Sequence, residues 1–300
     1  MAAPAPLRAA VLQLNSTEDV AANIETALRL VDEAASRGAR LLVLPEKFHY
    51  LGAPEGVAAA KEPLDGPLLT ACGQAAGRLG VYLVAGSMWE AIPGDERTYN
   101  TSVLFGPEGE RLAFYRKIHM FDVEVGGQVY RESDSCRPGD RVVAVRLDPG
   151  ASGRPGHGQM TLGLSICYDL RFPELFRALL DLGAHVITMP SAFTMATGRD
   201  HWHVLVRARA IENQVFMVTA NQTGEHAAGL ESYGRSLIVD PWGVVLGQVA
   251  DGVGVAVADL DLHRLAQVRR MLPAVHHRVP DAYLRREIYE HGEVLGPDSG

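Results

Sequence analysis

Short apolar runs alternate with segments of helical period along most of this chain, and few architectures accommodate that alternation. Residues 8–14 form an apolar, strand-like run. Apolar residues then recur at helical spacing across residues 18–37 (Val20, Ile24, Ala27, Leu28, Leu30, Val31, Ala34). Asn15-Ser16-Thr17 offers a cap for that helix and Gly38 a stop. Residues 41–44 are the next strand, 66–80 a second helix and 81–86 a third strand. The order returns further on, with strands at 160–166, 185–189 and 215–220 separated by helices at 173–182 and 200–212. Strands separated by helices lie side by side in a sheet with the helices on its face. The chain is therefore predicted to be α/β, with two βαβ-containing halves packed as layers.

The remaining segments fit around these halves. Residues 100–105 and 111–115 flank Gly106-Pro107-Glu108-Gly109, a hairpin signal. Residues 116–140 have no clear period and are predicted to be a long loop of the functional kind. A strand is expected at 142–147, a Gly/Pro/Ser-rich surface loop at 149–158, and late strands at 235–239, 244–249 and 253–259. A helix at 262–270 follows, then a charged stretch from Pro273 that would lie over a surface or a neighbouring subunit. There is no tandem repeat and no linker, so residues 1–285 are expected to be one domain and 286–300 a tail.

Composition excludes several functions. The chain is 47% apolar and carries a formal charge of -8 with acids and bases interspersed, so it has no basic stripe for a nucleic acid. No apolar run approaches the roughly 18 residues of a membrane span, and the first residues lack the pattern of a signal peptide. A cytoplasmic protein is the expectation. Three scattered cysteines (Cys72, Cys136, Cys167) do not make a disulfide framework and suit a reducing compartment.

Chemistry collects where strands end. The strand of residues 160–166 runs directly into Cys167, and a helix-like segment begins just beyond it. A thiol is mostly protonated at neutral pH, and a cation or a helix start nearby enlarges its thiolate share. Glu46 ends the run Leu41-Leu42-Val43-Leu44-Pro45, and Lys117 lies in Tyr115-Arg116-Lys117-Ile118-His119. Cleaving an amide needs a nucleophile, a group to carry a proton to the leaving nitrogen, and positive charge at the carbonyl oxygen. Cys167, Glu46 and Lys117 could supply these, with the backbone N–H of Tyr168 as a second oxyanion donor. Taken singly, each has a plain structural reading: a packed thiol, a strand-end carboxylate, a solvated lysine. His201 and His203 are two apart and would point to different faces of a helix, so they do not suggest a metal pair.

The surrounding sequence resembles the nitrilase superfamily of carbon–nitrogen hydrolases over nearly the whole chain, from Arg8 to about Tyr283. The resemblance is carried by Leu44-Pro45-Glu46, by Tyr115-Arg116-Lys117-Ile118-His119 and by Cys167-Tyr168-Asp169-Leu170-Arg171-Phe172-Pro173-Glu174. Pro190-Ser191-Ala192-Phe193, Arg207-Ala208-Arg209-Ala210-Ile211-Glu212-Asn213 and Asp240-Pro241-Trp242-Gly243 extend it. It implies a four-layer α-β-β-α sandwich, pairing of subunits into a homodimer or a larger assembly, and no metal or organic cofactor. It also implies Glu46 as general base, Lys117 as oxyanion stabiliser and Cys167 as nucleophile. A second glutamate that orients the lysine matches Glu132, with Glu124 a rival in the same segment.

Within the superfamily the chain looks most like the branch of deaminated glutathione amidases, with ω-amidases close by. The run from Lys117 to Val125 resembles both; Ser191-Ala192-Phe193 and Ser232-Tyr233-Gly234-Arg235-Ser236 lean to the first. The substrate so implied is a small amide of an α-keto acid. An arginine is expected to hold its carboxylate, with Arg171 and Arg199 as candidates and Tyr168, Phe193 and Thr194 as pocket walls. A nitrile hydrolase, an N-carbamoyl hydrolase, and a binding or scaffold protein with an idle site are the alternatives.

Overall fold

The computed structural model describes residues 6–148, 159–227 and 229–284, together with the short strands 288–290 and 293–295. The loop expected at 149–158 lies outside the described residues. The first half contains β1 (Leu7–Gln13), β2 (Leu41–Val43), β3 (Tyr82–Val84), β4 (Met88–Ala91), β5 (Thr98–Phe105) and β6 (Arg111–Arg116). A hairpin of β7 (Asp122–Val125) and β8 (Gln128–Arg131) follows. Then come β9 (Ala144–Leu147), β10 (Met160–Leu164), β11 (Val186–Ser191), β12 (Phe216–Asn221), a second hairpin of β13 (Thr223–Ala227) and β14 (Leu230–Tyr233), β15 (Leu237–Val239), β16 (Val245–Gln248) and β17 (Gly254–Leu260). The main helices are α1 (Val20–Ser36), α2 (Pro67–Leu79), α3 (Pro173–Asp181), α4 (His203–Asn213) and α5 (Leu262–Met271).

Two sheets form. One has the order β17-β1-β2-β3-β5-β4, with β6 added on β5; the other has the order β16-β15-β12-β11-β10-β9. Side-chain alternation sorts each strand between two cores. Leu7, Ala9 and Val11 of β1, with Leu41 and Val43 of β2, point into a core shared with the second sheet. Ala10, Leu12 and Leu42 point the other way, into a core closed by Ala27, Leu30, Val31 and Ala34 of α1 and by Leu68, Leu69, Cys72 and Ala76 of α2. Being buried on both faces, these strands are almost wholly apolar, which is why they read as runs rather than alternations. Helices α3 and α4 cover the outside of the second sheet with Leu175, Phe176, Leu179, Val206 and Ala210. The result is a four-layer α-β-β-α sandwich.

Parallel pairing joins β1 to β2 to β3 in one sheet and β10 to β11 to β12 in the other. The carboxyl ends of these strands meet across the sandwich. Leu14 bridges in parallel to Gln222, and Gln222 Nε2 donates to the carbonyl of Glu46 at 3.0 Å. Open α/β sheets place ligands at this end.

Three expectations are corrected here. The cap of α1 is Asp19, whose side chain accepts from Ala22 N at 3.0 Å, rather than Asn15-Ser16-Thr17. The 116–140 segment is not a structureless loop: it contains the β7–β8 hairpin and a helical turn, Glu132–Ser135. Its strands are half exposed on both faces, so no apolar period marked them. The helix expected from Asp200 begins as a wide turn over Gly198–Trp202 before α4 takes over.

Candidate active site

Glu46, Lys117 and Cys167 come from three separate strand ends and line one cavity. Glu46 follows β2 by way of Pro45, Lys117 follows β6 directly, and Cys167 follows β10 after Ser165 and Ile166. All three are buried: Lys117 is 2% exposed, Glu46 3% and Cys167 8%. Lys117 Nζ lies 3.2 Å from Glu46 Oε1 and 2.7 Å from Glu132 Oε2. Glu132, at the turn that follows β8, therefore joins the group. Glu124 does not; it sits exposed on β7.

Glu46 is fixed from three sides. Its Oε1 also accepts from Asn100 Nδ2 at 2.7 Å, and its Oε2 accepts from the Ala192 N–H at 2.8 Å. Glu132 is held as firmly, by Asn100 Nδ2 at 3.2 Å, by the Phe121 N–H at 2.9 Å and by Lys47 Nζ at 3.2 Å. Asn100 and Lys47 were not singled out by sequence reasoning. The available signals were an asparagine inside the strand Thr98–Phe105 and a lysine directly after Glu46.

Cys167 has φ +47°, the left-handed region that non-glycine residues rarely occupy. Such strain persists where the surroundings enforce it. The enforcing group is Asp169, fully buried two residues on. Its Oδ2 accepts from Ile166 N at 2.8 Å and from Tyr115 Oη at 2.7 Å. Its Oδ1 accepts from His119 Nδ1 at 2.7 Å and from the His119 N–H at 3.3 Å. One carboxylate thus ties the turn carrying Cys167 to the strand end carrying Lys117. His119 stacks on Phe172 at 3.7 Å, so it anchors the loop.

The electrostatics follow from burial against pairing. Burial works to lower the Lys117 ammonium, but Glu132 and Glu46 outweigh it and hold its pKa well above the usual lysine value. Burial works to raise Glu132, but Lys117 and Lys47 outweigh it and hold its carboxyl below the usual range. Burial pushes the Cys167 thiol well up, and Glu46 pushes it further; Lys117 opposes without prevailing. Lys117 thus acts on the thiol in the direction its charge dictates, but burial and Glu46 outweigh it.

The cavity is about 960 Å³, and Tyr168, Phe193 and Thr194 line it beside Cys167. Arg171 does not line it. Its guanidinium stands 5.3 Å over Phe193 and 5.8 Å over Tyr168, and it contacts His201 Nδ1 at 3.3 Å. Arg171 thus stands behind the wall that two predicted pocket residues form. Arg199 is exposed and also does not line the cavity. His203 is engaged with Gln248 Oε1 at 2.9 Å.

The chain as a whole is similar to known proteins. The carbon-nitrogen hydrolase family model matches residues 8–270. The deaminated glutathione amidase of Bos taurus is 43% identical over 279 residues, spanning 91% of this chain and 82% of that protein. An omega-amidase of Danio rerio is 36% identical over 287 residues, spanning 94% of this chain and 98% of that protein. Among solved structures, a glutamate-to-glutamine mutant of the amidase from Nesterenkonia sp. AN1 shows covalent addition of the acetamide moiety of fluoroacetamide at its active-site cysteine. It matches with a TM-score of 0.75 at 26% identity, over 94% of this chain and 97% of that one.

Proposed function

The chain belongs to the carbon–nitrogen hydrolase family, and from that premise we propose that it hydrolyses linear amides through an acyl-enzyme on Cys167. The observation that carries the reading is the convergence of Cys167, Glu46 and Lys117 on one buried cavity, with Lys117 Nζ 3.2 Å from Glu46 Oε1. Glu46 takes the thiol proton as sulfur attacks the carbonyl carbon. Lys117 and the Tyr168 N–H hold the oxygen as it becomes negative. Glu46 then passes the proton to the leaving nitrogen, and the C–N bond breaks to leave a thioester. Water attacks the thioester, Glu46 takes its proton, and the thiol leaves reprotonated. Glu132 keeps Lys117 charged and aimed.

The substrate proposed is deaminated glutathione, N-(4-carboxy-4-oxobutanoyl)-cysteinylglycine, cleaved to 2-oxoglutarate and cysteinylglycine. Sequence similarity to the bovine enzyme supports it. So does a cavity of about 960 Å³, at the upper end of the roughly 300–1,000 Å³ of small-molecule sites, with space for a dipeptide leaving group. The second reading is ω-amidase action on 2-oxoglutaramate, favoured by the Danio rerio relative. Both form the same acyl-enzyme and differ only in whether a dipeptide or ammonia departs. Tyr168, Phe193 and Thr194 are proposed to bound the acyl group, with Arg171 behind them. A cytosolic homodimer is the proposed working form; the three cysteines are free thiols, and among the described residues no helix is long and apolar enough to cross a membrane.

The test is a comparison of kcat/KM on deaminated glutathione, 2-oxoglutaramate, an N-carbamoyl amino acid and a nitrile with its amide. Deaminated glutathione should rank first. A higher value for the carbamoyl compound or the nitrile would overturn the assignment.

A further inference from the structure

We propose that Lys47 is the anion-recognising residue of the cavity, its ammonium taking the terminal carboxylate of the substrate's acyl half. The inference rests on the reading above, that the acyl donor is an α-keto acid amide.

Lys47 directly follows Glu46, yet its side chain turns back into the cavity instead of leaving the strand end for solvent. A left-handed backbone makes that turn: Lys47 has φ +52°, and its N–H donates to Ser87 Oγ at 3.0 Å. Strain of this kind at a non-glycine residue points to a side chain whose position matters. The side chain is 14% exposed, and its amine lies 4.0 Å over the ring of Trp89 and 3.2 Å from Glu132 Oε1. Trp89 lines the same cavity. An ammonium has three N–H donors; Glu132 takes one and the indole face attracts the cation as a whole, which leaves donors for a ligand.

The charge balance shows why a second cation is needed. Glu46 and Glu132 are two buried carboxylates around Cys167, and Lys117 alone would leave the group at a net charge of about -1, an environment that repels an incoming carboxylate. Lys47 brings the group to neutrality. Glu18, Asp19 and Glu231 also line the cavity from exposed positions and add to the need for an inner cation.

Elimination among the other cavity residues leaves the same answer. Lys117 is held between two carboxylates and faces the scissile carbonyl in the proposed reaction. Arg131 lines the cavity from an exposed position, where solvent screens it. His226 has both ring nitrogens engaged, with the Ser16 carbonyl at 2.7 Å and Ser232 Oγ at 2.9 Å.

The test uses a matched pair of amides. 2-Oxoglutaramate carries the carboxylate, and 4-oxopentanamide replaces it with a methyl group. Wild-type protein should prefer the first. In Lys47→Met, which keeps an apolar stem over Trp89, the ratio of the two kcat/KM values should fall by about tenfold or more, through KM of the anionic amide, as for loss of a charged hydrogen bond. Lys47→Arg should keep most of the ratio. Equal losses on both amides in Lys47→Met would show that Lys47 serves only Glu132, and would remove this inference while leaving the amidase reading in place. A wild type that turns over 4-oxopentanamide as well as 2-oxoglutaramate would remove it without any variant. No wild-type turnover of any amide would remove both readings.

Discussion

Asp169→Ala tests whether one buried carboxylate holds the nucleophile turn to the lysine strand. The substitution leaves two buried donors without a partner, the hydroxyl of Tyr115 and the N–H of Ile166. Each orphaned buried donor costs about 1–3 kcal/mol, so the variant should lose about 4 kcal/mol. His119 adds little, because it is partly exposed and water can replace the lost acceptor. Tyr115→Phe alone removes one donor to a carboxylate that keeps three others, and should cost about 2 kcal/mol. In the double variant the orphaned hydroxyl no longer exists. Its loss should be about 2 kcal/mol, the cost of the remaining Ile166 N–H, rather than the additive value of about 6, a coupling of roughly 4 kcal/mol. Equilibrium urea unfolding of the four proteins measures the cycle, with kcat falling in parallel as Lys117 and Cys167 lose their common tie. Additivity within about 0.5 kcal/mol would refute the reasoning, since independent sites behave that way.

Cys167→Ala should abolish turnover and melt close to the parent, because a small side chain at a cavity wall removes little packing; a much lower melting temperature would mark the cysteine as structural. Glu46→Gln should lose about a hundredfold to ten-thousandfold in kcat, as expected for a missing proton carrier, and near-normal kcat would reassign the base. His49 gives a pH prediction. Burial lowers its pKa from 6.5 to about 4, with the Ala60 carbonyl opposing, so the unfolded chain binds a proton at higher pH than the folded one. Stability is then lost as pH falls from about 6.5 to about 4, by roughly 3 kcal/mol, and holds above that window. His49→Gln should remove that slope from a pH series of urea midpoints, and an unchanged slope would place its origin elsewhere.

Which parts of this were legible in the sequence follows from what each residue faces. The parallel strands announced themselves because both faces are buried, and α1 because it presents one apolar stripe. The β7–β8 hairpin was silent, since its residues are exposed or half-buried on both faces and leave no apolar period. That silence also left Glu132 and Glu124 unresolved: only the hairpin shows that one sits at the buried turn and the other on the exposed strand. Asn100 was hidden because a polar residue in a strand is ordinarily read as its solvent face, whereas here that face is the site. Lys47 was hidden because its direction depends on a left-handed backbone that its residue type does not favour. Arg171 was expected to hold the substrate carboxylate, but it does not line the cavity, and its guanidinium packs against the rings of Tyr168 and Phe193 instead.

The most direct test is mass spectrometry of acid-quenched protein during steady-state turnover of 2-oxoglutaramate or deaminated glutathione. The same 4-carboxy-4-oxobutanoyl thioester should appear from both substrates on the peptide bearing Cys167. Its absence there, together with turnover that survives Cys167→Ala, would contradict a covalent route through this thiol.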